Sequence, residues 1–315
     1  MVKREIAIGL AVLLLIAIGT TLLPAGYPQE DGDVFERMEV ANPYCLWDVS
    51  TITSAVALPE YPRQLMVYLV VDTAVSKDDA LKAAEKFGMT GPLEEDALAY
   101  YVTGDPYTFE IEKKTGDMAY IWDGRCGGAD PRDCPENLPT DEECRKIAEA
   151  FLTSHDLMPE GAVFSSVSQG SKRIFSNHSG DTPIATYEDR DVLFTDTLSG
   201  FPVVGSGIRV TIGGGGDILE VSRHWCGVEP YREFAILSPE EALEELRETG
   251  IFTTVSFPKK AIANEIRLCY YTAPPGPGQP YLTPTYYLYG TAIGDKGTGI
   301  FCQYVPAVPE LGKSL

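Results

Sequence analysis

Histidine is scarce in this 315-residue chain: His155, His178 and His224 are all it has. No two stand four residues apart, so the H-E-x-x-H chemistry of helical metalloproteases has no ligands. No C-x-x-C occurs and no cysteine pair sits beside a histidine at zinc-finger spacing, which argues against a structural zinc site. Cations are also few, with 25 Lys and Arg against 46 Asp and Glu and a net charge of −21. Nothing offers a basic face to phosphates, so nucleic acid is not an expected partner, and docking on anionic lipid is disfavoured. A G-x-S-x-G nucleophile elbow and a Walker A loop are missing. Gly213–Gly216 and Gly294–Gly299 are glycine-rich, but neither opens a helix after a strand, so both read as hairpin turns rather than phosphate cradles.

Long apolar runs are equally rare, and the single one stands at the N-terminus. Ile6–Leu23 holds 18 residues without a charge, behind Lys3 and Arg4. That length crosses a bilayer as a helix, and the basic residues ahead of it keep the N-terminus inside. Leu23-Pro24-Ala25 fits the small-residue pattern of a cleavage site poorly, which favours an uncleaved signal anchor over a cleaved signal peptide (residues 1–25). Either way the bulk is expected to be extracytoplasmic: a single-pass membrane protein, or alternatively a secreted one. Residues 26–41 are polar, acidic and Gly/Pro-bearing, a linker. Asn177-His178-Ser179 is an N-glycosylation sequon compatible with that side.

What the chain does have is strands and capped helices. Ser76, Thr140 and Ser238 each precede an acid by three residues, the reciprocal capping box that satisfies otherwise orphaned amides. Apolar residues then follow at helical spacing: Ala80, Leu81, Ala84; Cys144, Ile147, Ala148; Ala242, Leu243, Leu246. Between these helices lie period-two segments. The clearest is Leu193–Trp225, where Ile208, Val210 and Ile212 alternate with Arg209 and Thr211, and Leu219 and Val221 alternate with Glu220 and Ser222. Helix followed by meander, recurring loosely, gives an α+β expectation: antiparallel sheets with capped helices on one face, after an N-terminal membrane helix. One unit would span residues 42–135, and a second and third residues 136–310.

Ser199-Gly-Phe-Pro-Val203, then Gly205-Ser-Gly-Ile-Arg-Val-Thr-Ile212, a glycine turn and Asp217-Ile-Leu-Glu-Val221, resemble the core of PepSY and related propeptide-like domains. Ile236-Leu-Ser-Pro-Glu-Glu-Ala242 looks like the helix that begins the next such unit. Leu268-Cys-Tyr-Tyr271, Gln279–Pro284, Tyr286-Tyr-Leu-Tyr289 and Val305-Pro-Ala307 are similar to the last unit of YycH/YycI-type extracytoplasmic regulators. The resemblance implies tandem PepSY-like units and a non-catalytic role, in which such domains inhibit, chaperone or bind partner proteins. It supplies no catalytic residue. The loop from Gly124 to Pro139 departs from that pattern.

Seven cysteines make an odd count, so at least one thiol stays free or pairs between chains. Cys126 and Cys134 flank a Gly/Asp/Pro loop and could close it, with Cys134–Cys144 competing; Cys269 and Cys302 lie in late strands as further disulfide candidates. Asp123, Asp130 and Asp133 could bind calcium, although the ligand order of an EF-hand is missing; no other cofactor is expected. Tyr271, Tyr287, Tyr289 and Tyr304 belong to a late aromatic cluster, half of which could face outward as an interaction surface, since tyrosine combines apolar area with a hydroxyl. The expected function is a membrane-tethered interaction or regulatory module without catalysis, held to the membrane by Ile6–Leu23 and facing another envelope or membrane protein. The alternative is a cell-envelope ligand-binding or structural protein using the Tyr-rich sheet, and a secreted hydrolase ranks third.

Overall fold

The computed structural model describes residues 45–71, 73–126, 137–170, 172–175, 184–187, 189–225, 227–272, 280–309 and 311. Strands β1 (Cys45–Trp47), β2 (Thr51–Ser54) and β3 (Gln64–Val71) precede helix α1 (Lys77–Lys86). A meander of β4 (Leu93–Glu95), β5 (Ala99–Thr103), β6 (Tyr107–Glu112) and β7 (Met118–Trp122) leads to α2 (Asp141–Ser154). Then come β8 (Val163–Gln169), β9 (Lys172–Phe175), β10 (Ile184–Tyr187), β11 (Arg190–Leu198), β12 (Phe201–Ile212), β13 (Ile218–His224), β14 (Gly227–Ala235) and α3 (Pro239–Thr249). The chain closes with β15 (Ile251–Thr253), β16 (Pro258–Tyr271), β17 (Tyr281–Gly294) and β18 (Gly297–Pro306).

All three capping boxes form: Ser76, Thr140 and Ser238 accept from the amides of Asp79, Glu143 and Glu241, whose carboxylates return the bond to the cap amides. The helices are nevertheless minor parts. Sixteen strands join in one mixed sheet, whose main path runs β1-β15-β18-β17-β16-β12-β13-β7-β6-β5-β4. This corrects the expected α+β arrangement of helix-capped repeat units: the fold is dominated by a single large sheet, and three α-helices are present among the described residues. The physical reason is that alternation identifies a strand and its buried face but not its neighbour. The meander is stitched to the later strands by β7–β13 pairing, and β12 runs parallel to β16, a contact between distant segments.

Two cores lie on this sheet. Ala80 and Ala84 of α1 and Cys144, Ala148 and Leu152 of α2 pack on Val102, Phe109, Phe194, Ile208, Val210 and Val221. Ala242, Leu243 and Leu246 of α3 pack on Ile266, Leu268, Tyr286, Leu288 and Phe301. Each large aliphatic or aromatic side chain buried here contributes about 1.5–3 kcal/mol of transfer free energy. Strand β12 links the two. Thr195 faces Gly207 while Asp196 faces Val203, so residues 204–206 are extra on the β12 side of the ladder. At this bulge Gly205 takes φ +88°, and a Cβ there would stand 2.3 Å from the Thr272 carbonyl oxygen. The N-terminal part of β12 thereby reaches β16, through Val203–Tyr270 and Val204–Tyr271, while its C-terminal part pairs with β13.

The expected membrane helix also needs correcting. Among the described residues no helix is long and apolar enough to cross a membrane, and Ile6–Leu23, on which the anchor rested, lies outside them. The signal-anchor reading therefore gains no support. The disulfide expectation is overturned where it can be read: Cys144, Cys269 and Cys302 are free thiols. Cys269 stands opposite Thr285 and Cys302 opposite Tyr289, with β17 between them and four register steps along it. At about 4.8 Å per strand and 3.3 Å per residue their Cα atoms are far beyond the ~7 Å a disulfide spans. The Cys144 thiol instead donates to the Pro139 carbonyl at 3.6 Å. The Cys126 side chain and all of Cys134 lie outside the described residues.

Candidate functional site

Strand β16 carries two faces. Ile266, Leu268 and Tyr270 are buried, the first two in the core beneath α3, while Glu265, Arg267, Cys269 and Tyr271 alternate onto the other side. Register extends that second face across three strands. Glu265, Tyr289 and Cys302 form one row, and Arg267, Tyr287 and Tyr304 the next. The four candidate tyrosines thus come together on the face that α3 does not cover. Tyr271 and Tyr304 have ring centroids 4.5 Å apart and Tyr287 and Tyr304 5.4 Å apart, both tilted, within the range where aromatic pairs attract. Tyr287 is only 2% exposed, so it floors the cluster, whereas Tyr271, Tyr289 and Tyr304 are half-buried.

A pocket of about 60 Å³ opens beside Tyr287 and Tyr304. Its opposite wall is Pro202, Val203 and Val204, placed there by the parallel β12–β16 contact and the Gly205 bulge. The Arg267 guanidinium lies 5.1 Å from the Tyr287 ring centre, a cation–π geometry, and its Nε pairs with the Glu265 carboxylate. The Cys269 thiol donates to the Thr285 carbonyl at 3.3 Å. Burial pushes the Cys269 thiol up to about 12 and the Cys302 thiol up to about 11, so both are protonated at neutral pH and neither is a ready nucleophile. Burial likewise raises Tyr271 above its ordinary value. The site offers rings, phenols, a guanidinium and protonated thiols.

Sequence reasoning found the tyrosines but missed Arg267 and Glu265. Their period-two spacing from Cys269 and Tyr271 was a usable signal. No such signal pointed to Pro202–Val204, because strand neighbours far apart in sequence leave no local trace.

A second polar locus lies on the β6, β7 and β13 strands. His224 Nδ1 and Asp117 Oδ2 are 2.6 Å apart, with both residues 4% exposed. A His–Asp pair can orient a catalytic base. Here the bond ties the end of β13 to the turn before β7. Glu110, on β6 opposite Tyr101 and Ala119, is pushed up to about 7 by burial, with further contributions from the Glu112 and Asp96 charges. A carboxyl whose folded value exceeds its unfolded one favours folding while protonated, and that contribution is lost as pH rises through the folded value. Stability is therefore expected to fall by about 2 kcal/mol between pH 4.5 and 7 from this group. Glu110→Gln should remove that decline, as read by urea melts across the range.

Of the proposed calcium ligands, Asp123 accepts from the Thr108 hydroxyl at 2.9 Å, and Asp130 and Asp133 lie outside the described residues. Among the described residues no group of three or more His, Cys, Asp or Glu side chains could hold a metal ion. Asn177 also lies outside them.

No family model matches the chain, and no curated protein matches it either. Among solved structures, the crystal structure of an uncharacterized protein from Eubacterium rectale is similar at 10% identity, covering 82% of this chain and 87% of that one with a TM-score of 0.39.

Proposed function

We propose that this protein is a non-catalytic binding module that engages a partner protein through the face carrying Tyr271, Tyr287, Tyr289 and Tyr304. The observation that carries this reading is the pocket between that aromatic face and Pro202–Val204, with Arg267 at its wall. Tyr and Arg are the side chains that most often dominate binding energy, because each joins a large contact area to hydrogen-bonding atoms. The rings are held by their neighbours, so little side-chain entropy is lost when a partner arrives. Burial keeps the Cys269 and Cys302 thiols of this face protonated, so neither is a ready nucleophile. The resemblance of Ser199–Val221 and Leu268–Ala307 to PepSY-like and YycH/YycI-type regulators supports the same class of role.

The test is crosslinking in the protein's native host. A photoreactive phenylalanine analogue at position 304 is expected to give discrete protein adducts, while the same group at Tyr231, an exposed aromatic on β14, gives none. Adducts from 231 alone would refute the assignment.

A further inference from the structure

The pocket beside Tyr304 has a chemical bias that runs against the rest of the molecule. The chain carries 46 acids, yet the pocket lining contains no Asp or Glu and one full charge, the Arg267 guanidinium. That guanidinium is held but not exhausted. Its Nε pairs with Glu265, and its plane is steadied by the Tyr287 ring. That ion pair uses the Nε edge and not Nη1 or Nη2, and the side chain is 32% exposed. The other polar groups of the lining are hydroxyls and a thiol. Thr195 Oγ1 lies 3.2 Å from the Val203 carbonyl oxygen, and Cys269 Sγ spends its proton on Thr285. Burial keeps that thiol protonated, so no thiolate competes for the cation. Ser165, also in the lining, is half-buried and adds a hydroxyl.

We infer that this pocket is a carboxylate-recognition subsite, in which the Nη1 and Nη2 groups of Arg267 grip the two oxygens of a ligand carboxylate while the ligand's apolar body rests on Tyr304 and Val203. The inference rests on the binding role proposed above and narrows it to a partner that presents a carboxylate. The fork of two parallel N–H groups matches a carboxylate bidentately, which a lysine could not do. Glu265 does not block this, because it occupies the Nε edge. A space of about 60 Å³ admits a carboxylate and a few carbons, not a whole small molecule, so the remainder of the ligand would stay outside. Low local polarity strengthens the pair relative to the same contact in water.

Benzoate and benzamide, equal in shape and different in charge, separate the possibilities on the intact protein. Arginine Nε–H and tyrosine ring resonances would be followed by NMR during titration with each. Benzoate is expected to shift the Arg267, Tyr287 and Tyr304 signals saturably, with benzamide at least about tenfold weaker by loss of one charged, bidentate contact. In Arg267→Met the advantage of benzoate should vanish. Equal binding of the two compounds would overturn the carboxylate assignment and leave the aromatic binding face standing. Binding of neither would likewise overturn the carboxylate assignment, and the binding face would then stand or fall on the crosslinking from position 304.

Discussion

His224→Leu is expected to destabilise the protein by about 3–5 kcal/mol, among the largest effects available from a single side chain. The substitution keeps apolar volume at a site 4% exposed, but it strips Asp117 of a partner 2.6 Å away. The carboxylate, itself 4% exposed, is then left buried without that bond, with the Arg223 guanidinium as its remaining charge neighbour, and removing one member of a buried pair costs far more than the pair contributes. The double variant His224→Leu/Asp117→Leu should recover part of the loss, since the carboxylate is no longer left buried without His224, although the buried Arg223 guanidinium then loses the Asp117 charge beside it. Urea melts of the two single variants and the double form a cycle that reads this coupling. If the double variant is no better than His224→Leu, the pair is not what holds β13 to the turn before β7.

Gly205→Ala comes second, at about 3 kcal/mol, from two causes that add. An L-residue is strained at φ +88°, and the new methyl group would stand 2.3 Å from the Thr272 carbonyl oxygen, a backbone atom that cannot swing aside. The consequence reaches function as well as stability. Gly205 is the joint that lets β12 turn from β13 toward β16, and so it sets Val203 and Val204 against the tyrosine face. Gly200→Ala makes a useful comparison: that glycine also has positive φ, +81°, but its Cβ would meet nothing within 4 Å. It should cost only the conformational penalty, about 1 kcal/mol.

These positions show what was legible in the chain. The capping boxes at Ser76, Thr140 and Ser238 were readable because a hydroxyl and an acid three residues apart act locally. The alternation of Ile208, Val210 and Ile212 against Arg209 and Thr211 likewise placed the core face of β12. What alternation could not show is that Val204 lies beside Tyr271, or that β7 lies beside β13, because pairing between distant segments is decided by the whole sheet. The repeat-unit expectation failed at that step. It treated each helix with its following strands as closed, whereas the strands continue into one another. The same limit applied to the site. Tyr271, Tyr287, Tyr289 and Tyr304 were visible as candidates, and Arg267 was within reach of the same spacing argument. The opposing wall depended on a parallel contact and a glycine bulge that no local pattern announces.

The central claim is that partner binding runs through the tyrosine face, and one affinity comparison tests it most directly. The partner crosslinked from position 304 would be purified and its Kd measured for wild type, Tyr304→Ala and Tyr231→Ala, with melts confirming that each variant folds. Loss of the Tyr304 ring should weaken binding at least about tenfold, as truncation of a central aromatic anchor does, while Tyr231→Ala leaves Kd unchanged. A folded Tyr304→Ala variant that binds as tightly as wild type would contradict the account.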